Sequence, residues 1–257
     1  MGKIIAVTNQ KGGVGKTTTQ VNLSACVAAL GRRVLSVDMD PQGNATSGMG
    51  MAGEPGRSIY DVLMGSAGAK ACLADTPVET LKLLPTDMRL AAAEVELVSR
   101  EGREYVLTEA LKPLRGMFDY IFIDCPPSLG LLTINALCAA DRVLVPIQCE
   151  YYALEGVGQL MDTIARVQRG LNPALAIEGV VLTMLDGRTN LGLQVVQEVK
   201  KHFRQQVYAA IIPRNVRLSE APSFGQPIHL YDPRSVGAEA YKDLAKEFLR
   251  RSEGGSR

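Results

Sequence analysis

Residues 10–18 read Gln10-Lys11-Gly12-Gly13-Val14-Gly15-Lys16-Thr17-Thr18, and their types and spacing fit one task, the holding of a phosphate chain. Glycines let a backbone turn tightly and aim its N–H groups at anionic oxygens. Lys16, directly after the last glycine, can reach β- and γ-phosphates as a point charge. The Thr17 hydroxyl can ligate Mg²⁺, and Thr18 can hydrogen-bond an α-phosphate from the first turn of a following helix. The match to GxxxxGK[ST] breaks at one place, where Gln10 replaces the first glycine and a second lysine, Lys11, follows it. A dinucleotide-binding loop is the competing reading, but its cradle carries no lysine. Lys16-Thr17 favours a triphosphate, ATP with Mg²⁺.

Three carboxylates stand where such a loop needs them. Asp124 ends the apolar run Tyr120-Ile121-Phe122-Ile123. A buried acid there is costly without a partner, so Asp124 is expected to bind Mg²⁺ directly or through water. Asp38 and Asp40 follow a second apolar run, in a turn closed by Pro41-Gln42-Gly43. Asp-Pro is also ordinary turn chemistry, which leaves the two readings even on these residues alone. Beside a phosphate loop, however, the carboxyl end of a strand is where water and metal gather.

These residues need a scaffold that brings several strand ends together. Apolar runs at Lys3–Thr8, Arg33–Val37, Leu81–Leu84, Asp119–Asp124, Arg142–Ile147, Ile177–Met184 and Val207–Ile212 predict strands. Their Val, Ile and Leu content is mostly continuous rather than alternating, as in strands buried on both faces of a parallel sheet. Between them, the spacing predicts helices at Lys16–Leu30, Met88–Ser99, Glu104–Leu114, Leu131–Ala139, Leu154–Arg169, Leu191–Phe203 and Val236–Arg251, and a short one near Ser58–Met64. The pattern is clear in Leu191–Phe203, where Leu191, Val195, Val196, Val199 and Phe203 share one face. Alternation of this kind predicts an α/β fold, one doubly wound and mostly parallel sheet with helices on both faces. It spans residues 1–251 as a single domain, with 252–257 as a frayed polar tail.

Bulk properties narrow the classes further. With 46% hydrophobic and 21% charged residues among 257, the chain has the composition of a soluble globular protein. It has no apolar stretch of transmembrane length, and the N-terminus reads as a first strand rather than a signal peptide. Five cysteines without a CxxC argue against a disulfide framework, a zinc site or a shared iron–sulfur cluster, and fit a cytoplasmic protein. Charge is uneven: residues 1–185 carry 16 Lys and Arg against 19 Asp and Glu, whereas 186–257 carry 12 against 8. A basic C-terminal third permits a polyanionic partner without requiring one.

The stretch KGGVGKTTT at 11–19 resembles the deviant Walker A motif of the ParA/MinD superfamily. VDMDPQGNAT at 37–46, DYIFIDCPPS at 119–128, LTMLDGRTNLG at 182–192, IPRNVRLSEAPS at 212–223 and YDPRSVGAEAY at 231–241 extend the likeness to chromosomal ParA proteins of the Soj type. The resemblance implies a P-loop ATPase in which Asp40 orients the attacking water and Asp38 lies in the outer shell of the metal. It implies that Lys11 reaches across an ATP-bound homodimer to the other subunit's phosphates, with Gly12 and Gly13 at that interface. Backbone at Pro213 and the side chain of Asn215 would then recognise adenine. Arg188 and Arg217 would contribute to non-specific binding of double-stranded DNA, and a ParB-type protein would stimulate hydrolysis.

Two other readings share much of this machinery. A MinD-like regulator of division-site placement would need a membrane-seeking C-terminal helix, for which Leu244, Phe248 and Leu249 offer only a small apolar face. A nucleotide-switched DNA-binding regulator would use the same loop and the same dimer.

Overall fold

The computed structural model describes residues 2–150 and 155–254. In chain order the elements are β1 (Lys3–Val7), α1 (Lys16–Ala29), β2 (Val34–Asp38), α2 (Asn44–Gly48), α3 (Ile59–Met64), β3 (Ala74–Asp75), β4 (Leu81–Leu84), α4 (Leu90–Glu96) and α5 (Val106–Leu111). They continue with β5 (Tyr120–Asp124), α6 (Leu131–Ala139), β6 (Arg142–Gln148), α7 (Glu155–Gly170), β7 (Ala176–Thr183), α8 (Asn190–Phe203), α9 (Val216–Glu220), α10 (Ile228–Tyr231) and α11 (Val236–Gly254). The sheet runs β3-β4-β2-β5-β1-β6-β7, and every pairing is parallel except the short β3 against β4.

Alternation along each strand explains the unbroken apolar runs. Ile4, Leu35, Ile121 and Val143 face one core, while Ile5, Val34, Phe122 and Leu144 face the other. The first core is covered by α3 to α8 and the second by α1, α2 and α9 to α11. Both faces are therefore dry, and a strand buried on both sides has no polar face to show in its sequence.

Two expectations change. Val207–Ile212 is extended but is not a strand: it bridges β7 only at Val207 and, beyond it, Pro213 meets Leu185. The reason is a competing acceptor. The amides of Ala209 and Ala210 both donate to the carboxylate of Glu247 on α11, at 3.0 Å each, and so turn away from the strand edge. The tail expected to fray from Ser252 is helical to Gly254. The Ser252 carbonyl accepts the ammonium of Lys3, and Glu253 pairs with Arg32 at 2.6 Å. Residues 255–257, and Leu154 at the start of the expected helix Leu154–Arg169, lie outside the described residues.

The apolar face of α11 is occupied. Leu244, Phe248 and Leu249 are buried, and Phe248 packs edge-on against Tyr120 and beside Phe122, with ring centroids 5.1 and 5.3 Å apart. Among the described residues no helix is long and apolar enough to cross a membrane. Phe248→Ala should therefore destabilise the whole fold by about 3–5 kcal/mol, the usual cost of an aromatic cavity. A urea titration followed by circular dichroism measures it. A change below about 1 kcal/mol would mean that α11 is detachable.

Candidate functional site

The phosphate loop leaves β1 and enters α1, and the tertiary structure clamps it at both ends. Asn9 donates to the Pro146 carbonyl at the end of β6 (2.7 Å) and accepts the Lys11 amide (3.1 Å). Thr183, closing β7, donates its hydroxyl to the Val14 carbonyl at 2.8 Å. Gly13 and Gly15 have φ of +72° and +83°, a region that side chains with a Cβ rarely adopt. Asn9 and Thr183 are site residues that the sequence reading missed. Only the position of Asn9, directly before the glycines, hinted at turn chemistry.

Lys16 is buried, and its ammonium donates to the carbonyl of Lys11 at 3.1 Å. Burial lowers its pKa, and the carboxylates of Asp124 and Asp40 partly offset that. Lys11 is only partly buried, and its own ammonium has no ion-pair partner among the described residues. Gly12 and Gly13 are exposed at the rim of the loop, and a Cβ built on either meets nothing within 4 Å.

Asp38 and Asp124 end neighbouring strands in register, so two carboxyl groups lie side by side and wholly buried. Asp38 accepts the amide and hydroxyl of Thr46, at 2.7 Å each, and the amide of Asp40 at 3.1 Å. Asp124 accepts the Thr17 hydroxyl at 2.7 Å, and its other oxygen has no hydrogen-bond partner among the described residues. Burial raises both carboxyl groups above the usual range; the charge of Asp40 adds to the rise at Asp38, and that of Asp38 to the rise at Asp124. Three hydrogen bonds lower Asp38 against one for Asp124, which is raised well above the usual carboxylate range. A divalent cation between Thr17 and Asp124 would satisfy the bare oxygen and favour its ionised form, so the donor set fits Mg²⁺. The oxygens of Asp38 are committed to Thr46 and the Asp40 amide. Asp40 is also buried and accepts the Gln42 amide at 3.0 Å.

A cavity of about 420 Å³ opens beside the loop, lined by Gly15, Thr17, Thr18, Pro213 and Asn215 among others. Among the described residues the side-chain oxygen of Asn215 is buried without a partner, and an amide oxygen can accept an exocyclic amine such as that of adenine. Met184, at φ 54°, lies against Gly15 and completes the wall.

The two expected DNA contacts are far from bare. Arg188 is exposed but doubly bonded to Asp186, which it holds down to about 2. Arg217 pairs with Glu220 at 2.8 Å and Asp232 at 3.5 Å.

A parallel sheet whose carboxyl ends carry a glycine-rich loop, a buried lysine and paired acids defines a P-loop nucleoside triphosphatase. A family described as "AAA domain" matches residues 2–177. The sporulation initiation inhibitor protein Soj of Bacillus subtilis is 62% identical over 248 residues, which cover 96% of this chain and 98% of that one. The chromosome partitioning protein ParA of Myxococcus xanthus is 54% identical, over 98% of this chain and 89% of that one. A solved structure described as cobyrinic acid a,c-diamide synthase from Mycobacterium smegmatis, with bound ATP analog and magnesium, superposes with a TM-score of 0.87. It is 42% identical and covers 99% of this chain and 97% of its own. The chain belongs to the ParA/MinD superfamily of P-loop ATPases, within its Soj type.

Asn215→Ala should weaken ATP binding about fivefold to tenfold, the worth of one buried hydrogen bond, and leave GTP binding little changed. Competition against a fluorescent nucleotide measures both, and equal losses for the two bases would remove Asn215 from adenine recognition.

Proposed function

We propose that this chain is a chromosome-partitioning ATPase. It binds ATP with Mg²⁺, closes on the nucleotide as a homodimer, and in that state binds double-stranded DNA on the nucleoid without regard to sequence. A ParB-type partner then stimulates hydrolysis and release to the cytoplasm. The observation that carries the reading is the loop itself. Its inner lysine, Lys16, is buried at the chain's own site, while its outer lysine, Lys11, is only partly buried and has no ion-pair partner among the described residues. The 62% identity to Soj supports the same reading, and exceeds the 42% shared with the diamide synthase.

Bound ATP and Mg²⁺ supply the electrophilic phosphorus and most of the charge neutralisation. The chain's residues position and shield. Amides of the loop and the N-terminus of α1 receive the phosphates, with Lys16 set against them from inside. Asp124 and Thr17 hold the cation, with Asp38 fixing the turn that carries Asp40. Asp40 orients the attacking water and takes its proton. Lys11 of one subunit neutralises charge developing at the other's phosphates. Arg188 and Arg217 exchange their carboxylate partners for DNA phosphates, which makes the binding strongly salt-dependent.

Three variants separate these steps. Asp40→Ala should retain ATP binding and lose turnover by roughly a hundredfold or more. Retained turnover excludes it as the residue that activates water. A Cβ at Gly12 meets nothing within 4 Å in the monomer. Gly12→Val should therefore bind nucleotide yet fail to form ATP-dependent dimers in light scattering, and normal dimers would displace Gly12 from the interface. Arg188→Ala combined with Arg217→Ala should reduce ATP-dependent DNA retention and its salt slope; unchanged retention would remove both from the DNA surface.

A further inference from the structure

The hydroxyl of Thr46 joins three segments. It donates to Asp38 at the end of β2, at 2.7 Å, and accepts the amide of Thr86, two residues beyond β4, at 3.0 Å. Thr46 itself lies on α2 and is 2% exposed. Its amide donates to the same Asp38 oxygen at 2.7 Å, so one residue grips that oxygen from backbone and side chain together. Helix α2 gives Asn44, Ser47 and Gly48 to the nucleotide cavity, whereas Thr46 borders a separate cleft with Gly43 and Thr86.

The other oxygen of Asp38 accepts the Asp40 amide at 3.1 Å. The Asp38 carboxylate is thus a bridge, with Thr46 at one end and the backbone of Asp40 at the other. The turn beyond Asp40 is tight. Asp40 accepts the Gln42 amide on its side chain and the Gly43 amide on its carbonyl, at 3.0 Å each. Gly43 has φ of +65°, and a Cβ there would stand 3.3 Å from the Thr86 methyl. The Ser47 amide donates back to the Gly43 carbonyl at 2.9 Å. Helix α2 therefore fixes both ends of the turn, through Asp38 at its start and Gly43 at its close.

A carboxylate rotates about the bond to its methylene unless hydrogen bonds hold it. Asp38 also lies beside Asp124, and like charges push apart. The two bonds from Thr46 set the orientation of Asp38, and with it the place of the Asp40 amide. A base must stand within hydrogen-bond reach of the water it activates, and a displacement of about 1 Å costs roughly a hundredfold in rate.

We propose that Thr46 is a positioning residue for ATP hydrolysis. Its hydroxyl, through Asp38, holds the backbone of Asp40 where the Asp40 carboxylate meets the attacking water. The proposal rests on the assignment of Asp40 above. Thr46 lies outside the nucleotide cavity, so its effect falls on turnover and not on ATP affinity.

The test compares the wild type with Thr46→Val, Thr46→Ser, Asp40→Ala and Thr46→Val combined with Asp40→Ala. Radiolabelled ATP with Mg²⁺ gives single-turnover rates, and a fluorescent ATP analogue gives affinities. Thr46→Val keeps the shape of the side chain and removes the hydroxyl. It should bind ATP within about twofold of the wild type and hydrolyse it at least about tenfold more slowly. Thr46→Ser, which restores the hydroxyl, should stay within about threefold of the wild-type rate. On the Asp40→Ala background, Thr46→Val should cost less than about twofold further, because Thr46 acts through Asp40. A wild-type rate in Thr46→Val overturns the proposal. Equal losses in the Val and Ser variants, a parallel loss of ATP affinity, failure of Thr46→Val to fold, or an undiminished effect without Asp40 overturn it too. All of these leave the assignment of Asp40 standing. An Asp40→Ala protein that turns over ATP like the wild type removes that assignment, and this proposal with it.

Discussion

Two carboxyl groups buried side by side at the ends of β2 and β5 are the constraint on which the site depends. The register of the sheet forces Asp38 and Asp124 together, and both are wholly buried. Thr46 and the Asp40 amide hold one, and Thr17 holds the other. This arrangement is costly for an empty protein and favourable for one that holds a divalent ion. It also connects the phosphate loop, through Thr17, with the turn that carries Asp40.

The same economy of contacts governs the loop. Its glycines allow an open cradle, but Asn9 at its start and Thr183 near its end hold it in one shape. Lys16 is drawn inward to a carbonyl of the loop and to the acids, which leaves Lys11 as the outward charge.

Much of the scaffold was legible because buried parallel strands are written as apolar runs and helices as stripes. Leu131–Ala139 was expected and found to the residue. β3 escaped notice because two residues carry no period. Val207–Ile212 has the composition of a strand, yet Glu247, more than thirty residues onward, takes two of its amides. Propensity cannot anticipate a distant acceptor that competes for the ladder.

The sequence by itself determined the phosphate loop, the acids at the strand ends and the doubly wound sheet, since each is a local pattern of residue types. Only the tertiary structure decided what those residues touch. It paired Asp38 with Asp124, gave Thr46 and Thr183 their roles, left Asn215 with a bare oxygen and neutralised Arg188 and Arg217 beside their own carboxylates. These are meetings between segments far apart in the chain. Register and packing set them, and neither is encoded within a single window of residues.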